Sequence, residues 1–231
     1  MTSTALQRVV DAGRALAAAG QQDMVWGHVA LRDEGGDGIW IKRSGVGYDE
    51  LGLDDVQLVG WDGSLRQGRG SVHIECFLHL ETLRVRGDVV MSVHSHAPAV
   101  NAFSALDEPL RALSHDGVPF ALPQIPRAGI SGDLVGDPQR GAAVAAALGG
   151  APACLMPRHG FLAVGRTDAE AVMHAVLLES ACQLHLDAAA AGTIRSYSDE
   201  EELRQKQAHV WPAAQFEAGY AYLLRRAAPP A

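Results

Sequence analysis

Two histidines separated by one residue are the strongest chemical signal in this chain of 231 residues. His94 and His96 lie in an apolar run that predicts a strand over Val89–His96. Side chains alternate between the two faces of a strand, so the two imidazoles are expected to point into the same space. Such a pair can supply two ligands to a metal ion, and the alternative is two unrelated histidines on a half-exposed strand.

A third histidine and a glutamate extend this pattern. His159 lies between two predicted strands, Ala153–Met156 and Phe161–Val164. Three neutral imidazoles leave open positions on a divalent ion, as catalysis requires, whereas a loop histidine beside a turn is the simpler interpretation. Glu75 lies at the start of a helix predicted over about 74–86 and is the candidate acid/base. Glutamates that only stabilise a helix N-terminus are also common.

The elements that must position these side chains are helices and strands in mixed order. Further strands are predicted at Val25–Arg32, Ile39–Lys42 and Val56–Trp61. Further helices are predicted over 4–19, after Pro98, from Asp137-Pro138 to Gly149, from Thr167 to about 191, and over 200–208, with 106–135 irregular. Because the two kinds of element do not alternate regularly, we expect one α/β domain over 1–231, with a mixed or antiparallel sheet covered by helices.

Composition excludes several classes of function. The formal charge of −8, without clusters of Lys and Arg, argues against a nucleic-acid partner. No stretch of about 18 apolar residues is long enough to span a membrane, and the N-terminus lacks a secretory pattern. The three scattered cysteines, Cys76, Cys154 and Cys182, are expected to be small core residues of a cytoplasmic protein.

The order and spacing of five motifs resemble the class II aldolase/adducin family over roughly residues 5–190. The motifs are Trp26-Gly27-His28-Val29-Ala30-Leu31-Arg32, Ser44-Gly45, Glu75-x3-His79, Val93-His94-Ser95-His96 and Arg158-His159-Gly160-x4-Gly165-Arg166-Thr167. The resemblance implies a three-layer α/β/α sandwich around a mostly antiparallel sheet. It also implies a homo-oligomer, commonly a tetramer with active sites between subunits. The tail over 193–231 is then a candidate interface segment.

The resemblance also implies roles for individual residues. His94, His96 and His159 correspond to the three metal-binding histidines of the family. Glu75 corresponds to the glutamate that can bind the metal and serves as acid/base. The implied cofactor is one divalent ion per subunit, Zn²⁺ or Mn²⁺, with Fe²⁺ and Co²⁺ as further candidates. Such an ion polarises a substrate oxygen and takes up the charge left when a carbon–carbon bond breaks.

Two departures from the sugar-phosphate aldolases of this family bear on the substrate. Those enzymes usually have Gly-Asn where this chain has Gly27-His28, and two serines where it has His73-Ile74. Ile74 cannot donate a hydrogen bond to phosphate, so the phosphate cradle would be incomplete. Lys42 and Arg43 would suit a carboxylate, with a solvated strand end as the alternative. The candidate substrate-binding residues are His28, Arg43, Ser44, Gly45, His73 and His115.

Four further histidines are weighed as candidates. Two of them could have either a functional or a structural role, and for the other two no functional role is expected. His115 can line the pocket or can be a loop histidine paired with Asp116. His79 lies one helical turn after Glu75 on the same face, as a supporting or a packing residue. His174 and His185 are expected on the solvated side of the helix that begins at Thr167.

The leading hypothesis is a metal-dependent carbon–carbon lyase that acts on a small anionic substrate. Chains with the Trp-Gly-His and His-Ile-Glu segments resemble a subgroup that includes decarboxylases of hydroxylated aromatic or pyridine dicarboxylates. Decarboxylation of such a carboxylate is therefore the first candidate, and aldol cleavage of a hydroxy-carbonyl compound is the second. A non-catalytic, adducin-like scaffold is the alternative from another class. The predicted helices weigh against a β-barrel dioxygenase.

Overall fold

A seven-stranded sheet lies at the centre of the computed structural model, which describes residues 4–129 and 132–227. The strands are β1 His28–Arg32, β2 Gly38–Lys42, β3 Val56–Gly60, β4 Leu65–Gln67, β5 Met91–Ser95, β6 Ala153–Met156 and β7 Gly160–Gly165. Their order across the sheet is β4-β3-β2-β1-β5-β7-β6, and every pair of neighbouring strands is antiparallel. The predicted antiparallel sheet is therefore confirmed.

Helices cover both faces of this sheet. Those of the described residues are α1 Ala5–Ala18, α2 Cys76–Val85, α3 Pro98–Ser104, α4 Val118–Ala121, α5 Pro138–Leu148, α6 Asp168–Ala191, α7 Glu200–Gln207 and α8 Ala213–Ala227. One apolar cluster joins α1, α3, α6 and α8 to Val29 and Val93 of the sheet. A second cluster joins α2 and α5 to Ala30 and Leu162 on the opposite face. This is the predicted three-layer α/β/α sandwich, produced by the alternation of side chains along each strand.

Capping side chains explain where four of the eight described helices begin. The side chains of Thr4, Asp137, Thr167 and Asp199 each accept a hydrogen bond from the backbone N–H three residues later. These caps satisfy N–H groups that have no partner within the first helical turn. The starts of α5 and α6 predicted from Asp137-Pro138 and Thr167 are confirmed.

Four elements differ from the expectation, and the first is α4, a single helical turn within the segment 106–135 that was predicted to be irregular. The strand predicted from Val25 begins only at His28, because Asp23 and Met24 have φ of 47° and 46° and form a turn. The short strand β4 was not predicted. All three of its residues are exposed and it pairs only with β3, so it lacks the alternation of apolar and polar residues that would reveal a strand. The helix α8 was not predicted, although it packs against α1 and α6.

The prediction that His174 and His185 are solvated is wrong, and α8 accounts for His174, whereas His185 packs against Phe103 of α3. His174 and His185 on α6 are 7% and 3% exposed rather than solvated. His174 Nδ1 donates to the Val164 carbonyl over 2.7 Å, and the rings of Phe120 and Phe216 pack edge-on against its ring. Because α8 covers α6, this long helix is enclosed on more than one side.

Other features of the described residues bear on the expectations from composition. The three cysteines are free and buried, as small core residues should be. No helix in the described part of the chain is both long and apolar enough to cross a bilayer. The tail folds back through α8 onto its own chain, and its role as an interface stays a prediction.

Candidate metal centre

The pairing of β1, β5 and β7 brings distant residues together at one end of these adjacent strands, within the sheet. β1 and β5 place His28 directly opposite His94, and β7 places Leu162 opposite His94 on the other side. Residues opposite each other on neighbouring strands point to the same face, so this site lies on the face that α2 covers. His159 lies in the turn before β7, beside the end of β5. Glu75 lies directly before α2.

The side chains of Glu75, His94, His96 and His159 form a compact cluster. Each offers one ligand atom, and these atoms all lie within 4.8 Å of one another. His94 Nε2 is 3.2 Å from His96 Nε2, and Glu75 Oε1 is 3.2 Å from His159 Nε2. Only His96 has substantial side-chain exposure, at 23%. One small cation at the centre would be within reach of all four groups.

Two of the imidazoles are oriented by hydrogen bonds at the far side of the ring. His94 Nδ1 donates to the Phe161 carbonyl over 2.8 Å. His96 Nδ1 donates to Asp23 Oδ2 over 2.5 Å. Both arrangements leave the Nε2 lone pair directed at the cluster, which is how proteins commonly prepare histidines to bind metal.

The third imidazole is the clearest indication that a ligand belongs here. Both ring nitrogens of His159 are buried and have no hydrogen-bond partner among the described residues. Its Nε2 approaches Glu75 Oε1, but without the alignment of a hydrogen bond. Buried polar atoms without partners are rare because they are costly. Three imidazoles and a carboxylate suit a divalent ion, so the residues present fit the cofactor that the sequence predicted.

Burial and neighbouring groups shift the pKa values of Glu75, His28 and His94 in the directions that metal binding requires. Burial alone would raise the pKa of Glu75, but its contacts with His159, His28 and His94 lower that pKa well below its usual range. The Val135 N–H also donates to Glu75 Oε1 over 2.8 Å. Burial lowers the pKa of His28 and of His94 well below the usual value. The site therefore combines an ionised carboxylate with neutral rings at His28 and His94.

Two of the predicted substrate-binding residues flank this cluster. His28 Nε2 is 3.7 Å from Glu75 Oε2, and the His28 and His73 rings lie 4.0 Å apart between centroids. The Glu75 N–H donates to His73 Nδ1 over 3.4 Å. Burial, followed by the nearby positive charge of Lys42, lowers the pKa of His73 to about 4. Both imidazoles are thus neutral groups beside the carboxylate.

The loop after β2 lies close to these residues, although its charges are already engaged. Lys42 is fully buried, and its Nζ donates to the carbonyls of Val25 and Val46. Arg43 Nε donates to Asp55 Oδ1 over 2.8 Å in a partly exposed ion pair. The predicted carboxylate-binding role would therefore require Arg43 to share its charge between Asp55 and a substrate.

The other residues predicted in or near the pocket have different placements. The Ser44 N–H donates to the Ser71 carbonyl, which ties this loop to the segment that leads to His73. Gly45 has a φ of 79°, so the turn there favours glycine. His115 is exposed in a short 3₁₀ turn that packs against α6, on the opposite face of the sheet from α2. The structure does not bring His115 to the cluster.

Asp23 and Ser92 near the site were not assigned a role beforehand, and a supporting and a packing role were both left open for His79. Asp23 orients His96 from 73 positions away in the sequence, and no sequence signal indicates that contact. His79 Nε2 lies 2.5 Å from His28 Nδ1, and His79 Nδ1 lies 2.6 Å from Ser92 Oγ. The position of His79 one turn after Glu75 was a usable signal, as was the position of Ser92 on the same strand face as His94.

Comparison with known proteins agrees with this geometry. Residues 7–186 match the model of the Class II Aldolase and Adducin N-terminal domain. A 3,4-dihydroxyphthalate decarboxylase of Terrabacter sp. is 34% identical over 218 residues, which cover 85% of this chain and 86% of the relative. A 5-methylthioribulose-1-phosphate/5-deoxyribulose-1-phosphate aldolase of Rhodospirillum rubrum is 31% identical over 171 residues, covering 74% and 75%.

A solved structure supports the same assignment. The L-fuculose 1-phosphate aldolase from Glaciozyma antarctica superposes with a TM-score of 0.85 at 26% identity, covering 98% of this chain and 92% of that chain. The relatives named above are enzymes, although they carry out different reactions. With a family match over most of its length, the predicted sandwich fold and a glutamate–histidine cluster that can hold a metal, this chain belongs to the class II aldolase/adducin family.

Proposed function

We propose that this protein is a divalent-metal-dependent carbon–carbon lyase for a small anionic substrate. Its leading reaction is the decarboxylation of a hydroxylated aromatic or heteroaromatic carboxylate. The observation that carries the proposal is the buried cluster of Glu75 with three histidines, flanked by the neutral rings of His28 and His73. The similarity to a 3,4-dihydroxyphthalate decarboxylase supports the choice of reaction.

In this proposal His94, His96 and His159 hold the ion, which is Zn²⁺ or Mn²⁺, with Fe²⁺ or Co²⁺ as alternatives. When bound, such an ion supplies Lewis-acid polarisation of a substrate oxygen. The bonds from His94 to the Phe161 carbonyl and from His96 to Asp23 keep the two rings in place. The side chains of Glu75, His94 and His159 are almost fully buried, which would limit the water beside a reacting carbon.

Glu75 has the properties of a proton carrier. Oε1 accepts from the Val135 N–H, which fixes the carboxylate, while Oε2 faces His28 and His94 at 3.7 and 3.8 Å. Because Oε2, unlike Oε1, lies beyond hydrogen-bond distance of these neighbours, it is free to accept the proton of the substrate hydroxyl. It can then deliver that proton to the carbon that has lost CO₂, which balances the reaction.

Two alternatives rest on separate observations. The similarity to the Rhodospirillum rubrum aldolase favours aldol cleavage of a hydroxy-carbonyl compound, with Ser44 and Gly45 near the phosphate end. An adducin-like scaffold would have no use for the buried, unpartnered nitrogens of His159, which weigh against it. The family resemblance extends the proposal to a homotetramer, and the free, buried cysteines are in keeping with a cytoplasmic location.

Product analysis of the metal-loaded protein tests the proposal. We expect CO₂ release from hydroxylated aromatic dicarboxylates and no aldehyde release from sugar phosphates. Small aromatic carboxylates should compete well with the substrate and inorganic phosphate poorly, because Ile74 replaces a phosphate-binding serine. The reverse order of competition, with aldehyde release, would establish the aldolase instead. A protein that binds metal and candidate substrates but releases neither product would contradict the lyase proposal.

A further inference from the structure

Three buried polar residues form a single chain of hydrogen bonds behind the candidate metal centre. His28 Nδ1 lies 2.5 Å from His79 Nε2, and His79 Nδ1 lies 2.6 Å from Ser92 Oγ. All three residues are 0% exposed. Among the described residues, neither His79 nor the Ser92 hydroxyl has another side-chain hydrogen-bond partner. The hydrogen atoms in this chain must therefore be arranged within it.

Only two arrangements of hydrogen atoms satisfy both contacts with neutral rings. In the first, His28 Nδ1–H donates to His79 Nε2, and His79 Nδ1–H donates to Ser92 Oγ. The Ser92 hydroxyl hydrogen is then buried without an acceptor, and the bare His28 Nε2 faces the Glu75 carboxylate. In the second, Ser92 donates to His79 Nδ1, and His79 Nε2–H donates to His28 Nδ1. The hydrogen of His28 is then on Nε2.

The surroundings of His28 favour the second arrangement. Its Nε2 has no hydrogen-bond partner among the described residues and lies 3.7 Å from Glu75 Oε2. An N–H directed at an ionised carboxylate is attracted to it, whereas a lone pair there is repelled. The second arrangement also gives the Ser92 hydroxyl hydrogen an acceptor, and its single unpaired donor is the His28 Nε2–H that faces the ionised Glu75 carboxylate.

We infer that His79 and Ser92 are positioning residues that hold His28 as its neutral Nε2–H tautomer, a fixed hydrogen-bond donor for an anionic oxygen of the substrate. This inference rests on the proposed function for the identity of the substrate, but the tautomer does not. The His28 ring lies 4.8 Å from the His94 ring between centroids. Its donor therefore reaches a substrate group next to the oxygen that a metal would hold. A carboxylate adjacent to a ring hydroxyl has this arrangement of oxygens.

Neutron diffraction from deuterium-exchanged crystals of the zinc-loaded protein tests the tautomer directly. We expect deuterium on Nε2 of both His28 and His79 and on the Ser92 oxygen, with none on either Nδ1. Deuterium on Nδ1 of His28, alone or together with Nε2, would overturn the inference. This result does not depend on any activity, so it separates the inference from the proposed function.

A pair of substitutions tests the consequence for binding. His79→Gln keeps an N–H that can donate to His28, whereas His79→Leu removes the donor at similar volume. With salicylate as the probe, and with CO₂ release measured in parallel to correct for turnover, calorimetry should give a Kd within about 3-fold of wild type for His79→Gln. For His79→Leu we expect a Kd at least about 10-fold weaker, with unchanged metal content.

The salicylate affinities of His79→Gln and His79→Leu distinguish the inference from its alternatives. Equal affinity for salicylate in both variants and wild type would overturn the inference, and so would an equal loss in both. If His79→Leu fails to fold, the neutron map and His79→Gln decide. If the neutron map shows the expected tautomer but salicylate does not bind the wild-type protein, the proposed substrate class fails while the hydrogen-bond chain stands.

Discussion

Replacing Asp23 should weaken metal binding without changing any of the proposed ligands. Its carboxylate accepts from His96 Nδ1 over 2.5 Å and is only 16% exposed, so solvent screens the pair weakly. Loss of such an outer partner costs about 10–100-fold in metal affinity, which is about 1.4–2.7 kcal/mol. Because Asp23 has a φ of 47°, Asn and Gly are the replacements that keep the backbone unstrained.

The two replacements should differ in a defined way. Asp23→Asn keeps an oxygen that can accept from His96 but loses the charge, so we expect a loss of about 10-fold. Asp23→Gly removes the oxygen as well, so the loss should approach about 100-fold. Competition for Zn²⁺ with a chelator of known affinity measures both. Asp54→Asn, at an 83% exposed side chain, is the control and should match wild type. Wild-type affinity in a folded Asp23→Gly variant would refute the reasoning.

Three further predictions concern other parts of the account. Glu75→Gln should retain the metal but lose at least about 100-fold in turnover, and unchanged steady-state rates would remove Glu75 from the acid/base role. Burial lowers the pKa of Lys42 from its ordinary value of 10.5 to about 8. Between these two pH values, the unfolded chain therefore holds a proton on Lys42 that the native chain has lost. Wild-type stability relative to Lys42→Met should therefore rise with pH across that window in urea titrations, and a constant difference would contradict it. Glu179→Ala removes the acceptor of the Ala99 and Val100 N–H groups at the start of α3 and should cost about 1–3 kcal/mol of unfolding free energy, measured by urea denaturation. An unchanged urea midpoint would show that water replaces this cap.

The sequence could predict those parts of the site that follow from regular geometry. His94 and His96 share a face because of strand alternation, and the strand boundaries around His159 place it in a turn. The cap at Thr167 similarly located the start of α6. These signals depend only on residues that are close in sequence, so they can be recognised without knowing which helices and strands pack together.

Contacts between segments that are distant in sequence could not be predicted from these local patterns. Asp23 reaches His96 only because two successive residues with positive φ reverse the chain ahead of β1. The ion pair of Arg43 with Asp55 depends on where the end of β2 meets the start of β3. The burial of His174 depends on α8, which folds back over α6 from the far end of the chain. Each depends on tertiary packing that periodicity does not encode.

Metal content per chain is the most direct test of the central claim that His94, His96 and His159, beside Glu75, hold one divalent ion. His159→Ala is the sharpest variant, because the His159 ring has no hydrogen bond among the described residues whose loss would disturb the fold. Elemental analysis of loaded, dialysed protein should give about one ion per wild-type chain and almost none for His159→Ala at an unchanged Tm. Wild-type protein that retains no ion under any loading condition, or a His159→Ala variant that retains as much as wild type, would contradict the account.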